Sequence, residues 1–243
     1  TRVRSSAASD VYKRQDVDGV YTADPRIVPN ARKMEEVTYD EMLEMASLGA
    51  KVLHSRCVEI AKKYGVELLV CSSLNRNSGT MVREKTKMEK MLISGVAADK
   101  NVAKIRVAGL GNDPESTFRL LNLLDRNNLN IDVMIQSLGK DGTKSVSFTV
   151  AKPDMLRTID VLNDNKDSLG IKKLDYDENV AKISVIGAGV RSHSGVAAKM
   201  FGALANAGIN TEMITTSEIR ITALIDEAYA DQAMRAIHET FLE

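Results

Sequence analysis

The sequence predicts two fold classes in one chain, an α/β segment followed by two α+β units of the ferredoxin-like (βαββαβ) plan. Two observations lead to this prediction. Before the charged run Arg83 to Lys90, two amphipathic helical stretches precede a continuous apolar strand. Beyond that run the chain repeats one pattern of strands and helices, which is the strongest structural signal in the sequence.

Composition excludes several classes of function. The chain has 243 residues, 44% of them hydrophobic, so it can bury substantial cores. Its 33 basic and 33 acidic side chains give a formal net charge of zero, so no overall field attracts phosphate backbones and no nucleic-acid partner is expected. No stretch approaches the roughly 18 apolar residues that a membrane helix needs. We therefore expect no membrane association and a cytoplasmic location by default.

The cysteines and histidines do not predict a metal site. Cys57 and Cys71 are the two cysteines, and they do not form a CxxC pair. His54, His193 and His238 are scattered along the chain, without metal-ligand spacing. We expect no bound metal, and both cysteines to be small buried side chains in a reducing compartment.

Residues 1–15, TRVRSSAASDVYKRQ, show neither strand alternation nor a capped amphipathic helix. We interpret them as a disordered or foreign leader, because SSAASDVYKRQ resembles translated adapter sequence found in some assembled reading frames. A natural flexible N-terminus is the alternative interpretation.

Residues 16–82 are predicted to be the end of an α/β domain. After a proline-containing loop, Thr38 and Glu41 have the spacing of a capping box. The apolar stripe that follows them predicts a helix ending near Gly49.

A second helix is predicted over Ser55 to Tyr64, with Val58, Ile60 and Ala61 on its buried face. The run VELLVC, Val66 to Cys71, is apolar nearly throughout. Such a run is typical of a strand covered on both faces in a parallel sheet.

The charged run after this segment predicts a linker, and residues 83–101 are assigned to that linker plus one strand. The repeat follows. AKIRVAGLG at 103–111 matches AKISVIGAG at 181–189, an offset of 78 (181 minus 103). LNIDVMIQS ending at Ser137 matches INTEMITTS ending at Ser217, an offset of 80 (217 minus 137). A loop insertion accounts for the difference.

Each copy is predicted to contain a strand, a glycine-containing loop, a helix, two strands joined by a turn, and a second helix. The copies are assigned to residues 102–176 and 177–243. Predicted elements of the first cover residues 104–108, 116–126, 130–136, 145–150 and 154–163, with a turn at 140–142. Those of the second cover 182–186, 196–207, 210–215, 219–225 and 228–239. Because each unit is small, we expect a second copy to cover its open face and edges.

Five ordered motifs resemble monofunctional aspartate kinases: DVDGVYTADPR, SLGAKVLHSR, SGTMV, ISGVAADKNVAKIRV and NTEMITTSEIRITALI. The resemblance covers nearly everything from Asp16 to Glu243. It implies the C-terminal remnant of an amino-acid-kinase α/β domain followed by two ACT domains, which are ferredoxin-like modules that bind amino acids. It also implies that Ile93 to Asp99 adds a strand to the second module and that chains dimerise through side-by-side module sheets.

In that family the kinase domain transfers the γ-phosphoryl group of MgATP to the side-chain carboxylate of aspartate. The resemblance places the glycine-rich phosphate motif and most of the aspartate site upstream of the residues present here. It therefore implies no catalytic residue in this chain and no activity by the chain alone. MgATP would be a substrate of the full-length enzyme, and no tightly bound cofactor is expected.

By motif position, the resemblance assigns Asp16, Tyr21, Arg26 and Lys51 to the ATP pocket. An aromatic wall for a base and two cations for phosphates suit that role. The residues taken alone favour a plainer interpretation, in which Asp16 and Arg26 cap a loop or form ion pairs and Lys51 ends a helix. Gln15 replaces the threonine that the family usually has before Asp16.

The resemblance also implies that an amino-acid effector binds at an interface between modules. There a strand-to-helix loop offers backbone N–H groups to the ligand carboxylate. In the first module the assigned residues are Asn112, Pro114, Glu115 and Gln136. The family often has aspartate at position 112 and glycine at position 115, so this chain departs from the pattern at both.

The corresponding loop of the second module is closer to the family pattern. A ligand carboxylate would accept hydrogen bonds from amides near Gly195 and Val196, and Glu218 or an acid of a partner chain would hold its ammonium group. The assigned residues are Ser192, His193, Gly195, Val196, Asn210, Thr216, Ser217 and Glu218.

A plainer interpretation of the same residues stays open. Ser192 would cap the helix, Ser217 and Glu218 would complete a strand end, and His193 would be a solvated loop residue. For the whole chain, three hypotheses follow. In the first, the chain is a regulatory portion or short subunit that senses lysine and/or threonine, as a homodimer or with a full-length catalytic subunit. In the second, it is the end of a complete enzyme. In the third, it is a structural dimerisation subunit without effector binding.

Overall fold

The computed structural model describes residues 18–49, 52–72, 78–85 and 92–242, which divide by packing into two units. The first unit combines the described residues up to Asp99 with Lys182–Ala223 and with those from Tyr229 onward. The second unit consists of Lys100–Ala181 and Leu224–Ala228. Each copy of the repeat therefore has its helices in a different unit.

The first unit begins with a small mixed sheet. Its strands are β1 (Glu36–Thr38), β2 (Leu68–Val70) and β3 (Thr80–Arg83), in the order β1-β3-β2. β1 runs parallel to β3, whereas β2 runs antiparallel to it. Helices α1 (Tyr39–Ser47) and α2 (Ser55–Tyr64) lie between β1 and β2 in the chain. Buried side chains of helices and strands form one core, which includes Met42, Val58 and Val82.

The predicted helix signals in this segment are confirmed. Thr38 caps α1, and both halves of the capping box with Glu41 are formed. α1 ends at Ser47, close to the predicted Gly49, and α2 has the predicted bounds. Gly65 ends α2 in the left-handed conformation, with φ +61°.

Three burial predictions for this segment were wrong. Ile60, predicted on the buried face of α2, is 51% exposed. The strand predicted to be covered on both faces of a parallel sheet is antiparallel to its neighbour, and Val66 and Leu69 are exposed. β2 is the last strand in the order of its sheet, so a neighbouring strand covers it on one side only among the described residues. Both cysteines are half-buried rather than buried.

The second unit contains the first copy of the repeat. The elements are β4 (Gly95–Leu110), α3 (Pro114–Arg126), β5 (Met134–Leu138), β6 (Lys144–Ala151), α4 (Met155–Asp164), the short α5 (Lys166–Leu169) and β7 (Lys173–Ile186). The start of β4 and the end of β7 belong to the first unit. The strand order is β5-β6-β4-β7, and β6 pairs antiparallel with both β4 and β5. Leu120 and Leu124 of α3 and Leu162 of α4 pack with Phe148 of β6 in one core.

The turn predicted at residues 140–142 joins β5 to β6. The Gly139 N–H donates to the Thr143 carbonyl at 2.8 Å, and Gly142 has φ +75°. The strand before this turn is shorter than predicted, because β5 begins at Met134 rather than at Asn130.

The first unit contains the helices of the second copy. The Ser94 N–H donates to the Ile186 carbonyl at 2.8 Å, and Lys182 lies 3.1 Å from Asp99 in an ion pair, so the start of β4 borders the end of β7 in this unit. The further elements are the short α6 (Gly189–Ser192), α7 (Val196–Asn206), β8 (Met213–Thr216), β9 (Arg220–Asp226) and α8 (Ala230–Leu242). In the sheet, β9 lies between β7 and β8.

The predicted fold class is confirmed, with an α/β segment followed by two copies of a ferredoxin-like unit. The domain boundaries proposed from the sequence stay predictions. No helix in the part of the chain that the structure describes is long and apolar enough to cross a membrane. The same residues contain no group of three or more His, Cys, Asp or Glu side chains arranged to hold a metal ion.

Candidate functional sites

The first candidate site lies on the loop from Asp18 to Met34, here named the 18–34 loop. Its two arms pair as an antiparallel ladder. The Thr22 N–H donates to the Arg32 carbonyl at 2.9 Å, and the Met34 N–H donates to the Val20 carbonyl at 2.8 Å. Tyr21 and Lys33 face each other as an antiparallel bridge between these bonds. The ladder fixes the backbone that carries Tyr21 on one arm.

The side chain of Tyr21 is held by Asp18, which is not among the residues predicted for the ATP pocket. Its hydroxyl donates to Asp18 Oδ1 at 2.7 Å, and Asp18 Oδ2 lies 3.2 Å from Lys33 Nζ. Lys33 Nζ also donates to the Ser78 carbonyl at 2.7 Å. The Tyr21 hydrogen bond, helped by Lys33, lowers the pKa of Asp18, and the same bond raises the pKa of Tyr21. Tyr21 is therefore a neutral phenol whose hydroxyl is fixed in place.

Gly19 makes this arrangement possible because there is no room for a side chain at its position. A Cβ there would lie 2.8 Å from both Lys33 Cδ and Thr80 Oγ1. Thr80 Oγ1 accepts from the Val20 N–H at 2.8 Å and donates to the Met34 carbonyl at 2.6 Å. The base of the loop is thus tied to β3 on both arms.

Arg26 lies at the far end of the same loop. Its Nε donates to Asp24 Oδ1 at 3.0 Å and its Nη2 to Asp24 Oδ2 at 2.6 Å, a two-point contact that lowers the pKa of Asp24. This is the ion pair that the plainer interpretation expected. The Arg26 side chain is nevertheless 87% exposed, so an anion can reach it. Asp16 and Lys51, also assigned to the ATP pocket, lie outside the described residues.

A buried contact joins the 18–34 loop to the last helix of the chain. Thr22 Oγ1 and His238 Nε2 are 2.9 Å apart, and both residues are buried. In the sequence, His238 is one of three scattered histidines. The two residues are 216 positions apart, so no local spacing could have revealed the contact.

The second candidate site is the strand-to-helix loop of the first repeat. Here the start of α3 is already capped, since Asp113 accepts from the Glu115 N–H at 3.0 Å and Pro114 occupies the first turn. Asn112, Pro114 and Glu115 are exposed. The cap carboxylate and Glu115 both place negative charge where a ligand carboxylate would have to approach.

The strand side of this site is partly engaged as well. Gln136 Oε1 accepts from Thr117 Oγ1 at 2.7 Å, which brings the predicted strand residue against the first turns of α3. Lys144 Nζ donates to the Asp113 carbonyl at 2.8 Å from the neighbouring strand. The structure therefore brings together the four predicted residues of this module around the start of α3. There the side chain of Asp113 already accepts a hydrogen bond from a first-turn amide.

The third candidate site is the corresponding loop of the second repeat, and its helix start differs. α7 begins at Val196, and its N-cap residue Gly195 supplies no side-chain hydrogen bond. Ser192, proposed in the plainer interpretation as the cap, belongs instead to α6, where its hydroxyl pairs with His193 Nδ1 at 2.9 Å. That alternative is wrong for Ser192. The first-turn amides of α7 thus have no competing carboxylate on the preceding residue, and the Val196 N–H donates to the His193 carbonyl at 3.3 Å.

An exposed ion pair connects this loop to the predicted strand residues. Arg191 Nη1 of α6 lies 3.1 Å from Glu218 Oε2 in the turn between β8 and β9. The Ser217 N–H donates to the Arg220 carbonyl at 2.7 Å and closes that turn. Further residues assigned to this site are exposed in the same unit: Ser192, His193, Gly195, Asn210, Thr216 and Ser217.

Comparison with known proteins places these features in a family. A model of the amino acid kinase family matches residues 6–72, and an ACT domain model matches residues 183–241. The aspartokinase of Pseudomonas aeruginosa is 43% identical over 229 residues, which cover 93% of this chain and 56% of that protein. The chain thus spans about half the length of the curated relatives it matches.

Solved structures agree with this assignment. Escherichia coli aspartokinase III in complex with aspartate and ADP is 27% identical and covers 94% of this chain and 51% of its own, with a TM-score of 0.83. The regulatory subunit of aspartate kinase from Thermus thermophilus is 33% identical and covers 62% of this chain and 99% of its own, with a TM-score of 0.59. Fold, ordered motifs and relatives agree, and the chain belongs to the aspartokinase family.

Proposed function

We propose that this chain is the C-terminal regulatory portion of an aspartate kinase, the enzyme that converts ATP and L-aspartate to 4-phospho-L-aspartate. In this proposal it senses lysine and/or threonine for feedback control, in the cytoplasm. The regulatory subunit from Thermus thermophilus supports it, because almost the whole of that subunit matches part of this chain. The aspartokinases among its relatives support the kinase role of the full-length protein.

The observation that carries the sensing proposal is the difference between the two helix starts. A free amino acid presents a carboxylate and an ammonium group, so its site needs a donor cluster and an acid. At α7 the N-cap offers no side chain to the first-turn amides, and the carboxylate of Glu218, in the turn between β8 and β9, lies 3.1 Å from Arg191 of α6. At α3 the carboxylate of Asp113 already accepts from the Glu115 N–H. We therefore assign the effector to the loop of the second module.

The 18–34 loop would form part of the ATP pocket of the full-length enzyme. Its fixed phenol at Tyr21 suits the face or edge of a nucleotide base, and the exposed guanidinium of Arg26 suits a phosphate. Asp16 and Lys51 are assigned to the same pocket by their positions in the motifs. Since phosphoryl transfer also needs phosphate-binding amides and the aspartate site, we propose that this chain alone is inactive.

Calorimetric titration of the chain with lysine and with threonine tests the sensing proposal. We expect heat of binding from at least one of them at millimolar concentration. Glu218→Gln keeps the size of the side chain but removes the charge that would hold the ligand ammonium, so the affinity should fall at least tenfold. Glu115→Gln makes the same change in the first module and should leave the affinity unchanged. Absence of heat from both amino acids removes the sensing proposal.

A second candidate function is a structural dimerisation subunit without effector binding. The observation that favours it is the exposed edge of the second unit, where all five residues of β5 are exposed, among them Met134, Ile135 and Leu138. Phe118 of α3 is 65% exposed in the same unit. Sedimentation of Ile135→Lys, combined with the titrations above, distinguishes the candidates. Loss of dimers in this variant, with no heat from lysine or threonine in the unmodified chain, supports the structural candidate, whereas heat of binding in the unmodified chain contradicts it. A homodimer or a complex with a catalytic subunit would both use it.

A further inference from the structure

The 18–34 loop meets the regulatory part of the chain at Thr22. This residue is 2% exposed and follows Tyr21 directly. Its N–H donates to the Arg32 carbonyl, and its hydroxyl accepts from the Arg32 N–H at 3.0 Å. Its carbonyl accepts from the Val96 N–H of β4 at 2.8 Å. Thr22 therefore joins both arms of the loop to the strand that borders the second repeat.

The hydroxyl of Thr22 has one further partner, and that partner is distant in the chain. His238 Nε2 lies 2.9 Å from Thr22 Oγ1, and His238 is fully buried on α8, the last helix of the second repeat. One hydroxyl has one hydrogen and two lone pairs, so it can accept from Arg32 while it donates to, or accepts from, the imidazole. The bond survives in either tautomer of His238.

We infer that His238 is a positioning residue, which holds the 18–34 loop through Thr22 and so sets the orientation of Tyr21 for nucleotide binding. The inference rests on the nucleotide role proposed above for this loop. The backbone of Arg32 bonds to Thr22 twice: its carbonyl accepts from the Thr22 N–H, and its N–H donates to the Thr22 hydroxyl. These two bonds close the segment of the loop that carries Arg26. A shift of α8 would move the hydroxyl and, with it, the ladder that Tyr21 belongs to. The last helix of the second repeat thus contacts the 18–34 loop directly, the loop to which we assign nucleotide binding.

Hydrogen exchange of backbone amides tests the inference on the intact chain without any nucleotide. Thr22→Val removes the hydroxyl and keeps the shape of the side chain. We expect the amides of Met34 and Val96, which bond to Val20 and Thr22 carbonyls and not to the hydroxyl, to exchange at least tenfold faster. His238→Gln should speed exchange at the same amides. The double variant should be no worse than Thr22→Val alone, because that change already removes the His238 contact, together with the hydrogen bond from the Arg32 N–H. Thr22→Ser should restore slow exchange.

The matched control is Thr222→Val. Thr222 is also 2% exposed, and its hydroxyl is bonded to the buried Ser184 Oγ at 2.7 Å within the same unit. This variant loses a buried hydroxyl contact of the same kind but does not touch the 18–34 loop. If both variants speed exchange at Met34 and Val96 equally, the effect is general destabilisation and the inference is overturned.

The second measurement is the affinity of the chain for MgADP. Thr22→Val and His238→Gln should weaken it at least fivefold relative to Thr222→Val, with recovery in Thr22→Ser. If Thr22→Val and His238→Gln speed exchange in the 18–34 loop but leave the affinity for MgADP unchanged, the inference is also overturned. Failure of the proposed nucleotide role has a different signature: MgADP does not bind the unmodified chain, or binds it equally after Tyr21→Phe and Arg26→Ala. In that case the exchange measurement still decides whether His238 positions the loop.

Discussion

Glu44 and Arg220 form an ion pair between α1 and β9, with Glu44 Oε2 and Arg220 Nη1 2.9 Å apart. The two side chains are 24% and 18% exposed, so water screens the pair only in part. It joins the α/β segment to the second repeat within the first unit, together with the Thr22 to His238 contact. Packing of the repeat against the α/β segment is thus specified by polar contacts as well as by apolar burial.

Replacement of Glu44 by Gln should lower the free energy of unfolding by about 1–3 kcal/mol, since the Arg220 charge keeps its partial burial and loses its counter-ion. Urea unfolding followed by circular dichroism measures the change. The matched control is Glu218→Gln, which breaks the Arg191 pair of similar length, 3.1 Å, whose side chains are 72% and 75% exposed. That variant should change stability by less than about 0.5 kcal/mol. Equal losses of stability in both variants would contradict the claim that burial determines how much an ion pair contributes to stability.

Gly49 should not tolerate a side chain, for reasons of both conformation and space. Its φ is +97°, and a Cβ would lie 2.6 Å from the Ala98 carbonyl oxygen of β4. We expect Gly49→Ala to lower stability by roughly 2–4 kcal/mol, because the strand has to move away. Gly65→Ala separates the two effects, since φ there is +61° and no atom lies within 4 Å of the new Cβ. That control should lose only about 1–2 kcal/mol, and a loss as large as that of Gly49→Ala would rule out the steric contribution.

Features encoded by near neighbours were predictable from the sequence. The capping box of Thr38 and Glu41 depends on residues three positions apart, and it formed as predicted. The N-cap of α3 has an equally local signal, because Asp113 followed by Pro114 is a common helix start. Local patterns therefore predicted the longer helices and the end of β7, whereas β4 begins at Gly95 rather than at Lys104 and β7 at Lys173 rather than at Lys182. The strand β1 and the short helices α5 and α6 have no counterpart among the predicted elements.

Contacts between distant segments were not predictable in this way. An amphipathic helix such as α2 shows which face is apolar, but Ile60 on that face is exposed because the described residues do not cover it. Thr22 and His238 are separated by 216 positions, and neither belongs to a spacing that indicates a contact. The two candidate effector loops differ in one carboxylate, that of Asp113, whose hydrogen bond from the Glu115 N–H is seen in the structure.

Glu41 should contribute more to the free energy of unfolding than Thr38, its partner in the capping box. Its Oε2 accepts from the Thr38 N–H at 3.1 Å, and its Oε1 accepts from Ser94 Oγ at 2.5 Å. Thr38→Ala should cost about 1 kcal/mol, as is usual for a lost N-cap. Glu41→Ala should cost about 2 kcal/mol or more, because it also leaves the Ser94 hydroxyl without this acceptor. The double variant, measured by the same urea unfolding, should lose less than the sum of the two, and strict additivity would show that the capping box does not act as a unit.

The pairing of Asp18 with Tyr21 predicts opposite effects at the two ends of the pH scale. The pKa of Asp18 is lowered, so its stabilisation is present above the ordinary value of 3.8 and is lost as the pH falls through the folded-state value. The pKa of Tyr21 is raised, so its stabilisation is present below 10.0 and is lost as the pH rises through its folded-state value. Asp18→Asn weakens the hydrogen bond from Tyr21, which is the main cause of the second shift, because it replaces a charged acceptor by a neutral one, and it also removes the Asp18 charge. It should therefore bring the pKa of Tyr21 back towards 10.0.

Ultraviolet difference absorbance of the tyrosinate anion measures this shift, within the pH range in which circular dichroism shows the chain folded. Subtracting the titration of Tyr21→Phe isolates Tyr21 from the other tyrosines. Tyr64, which is 69% exposed, is the control position, and its signal should not respond to Asp18→Asn. Ionisation of Tyr21 at the same pH with and without the Asp18 carboxylate would show that the 2.7 Å contact does not hold the phenol neutral. A downward shift confined to Tyr21 supports the view that Asp18 fixes the ring that the nucleotide would meet.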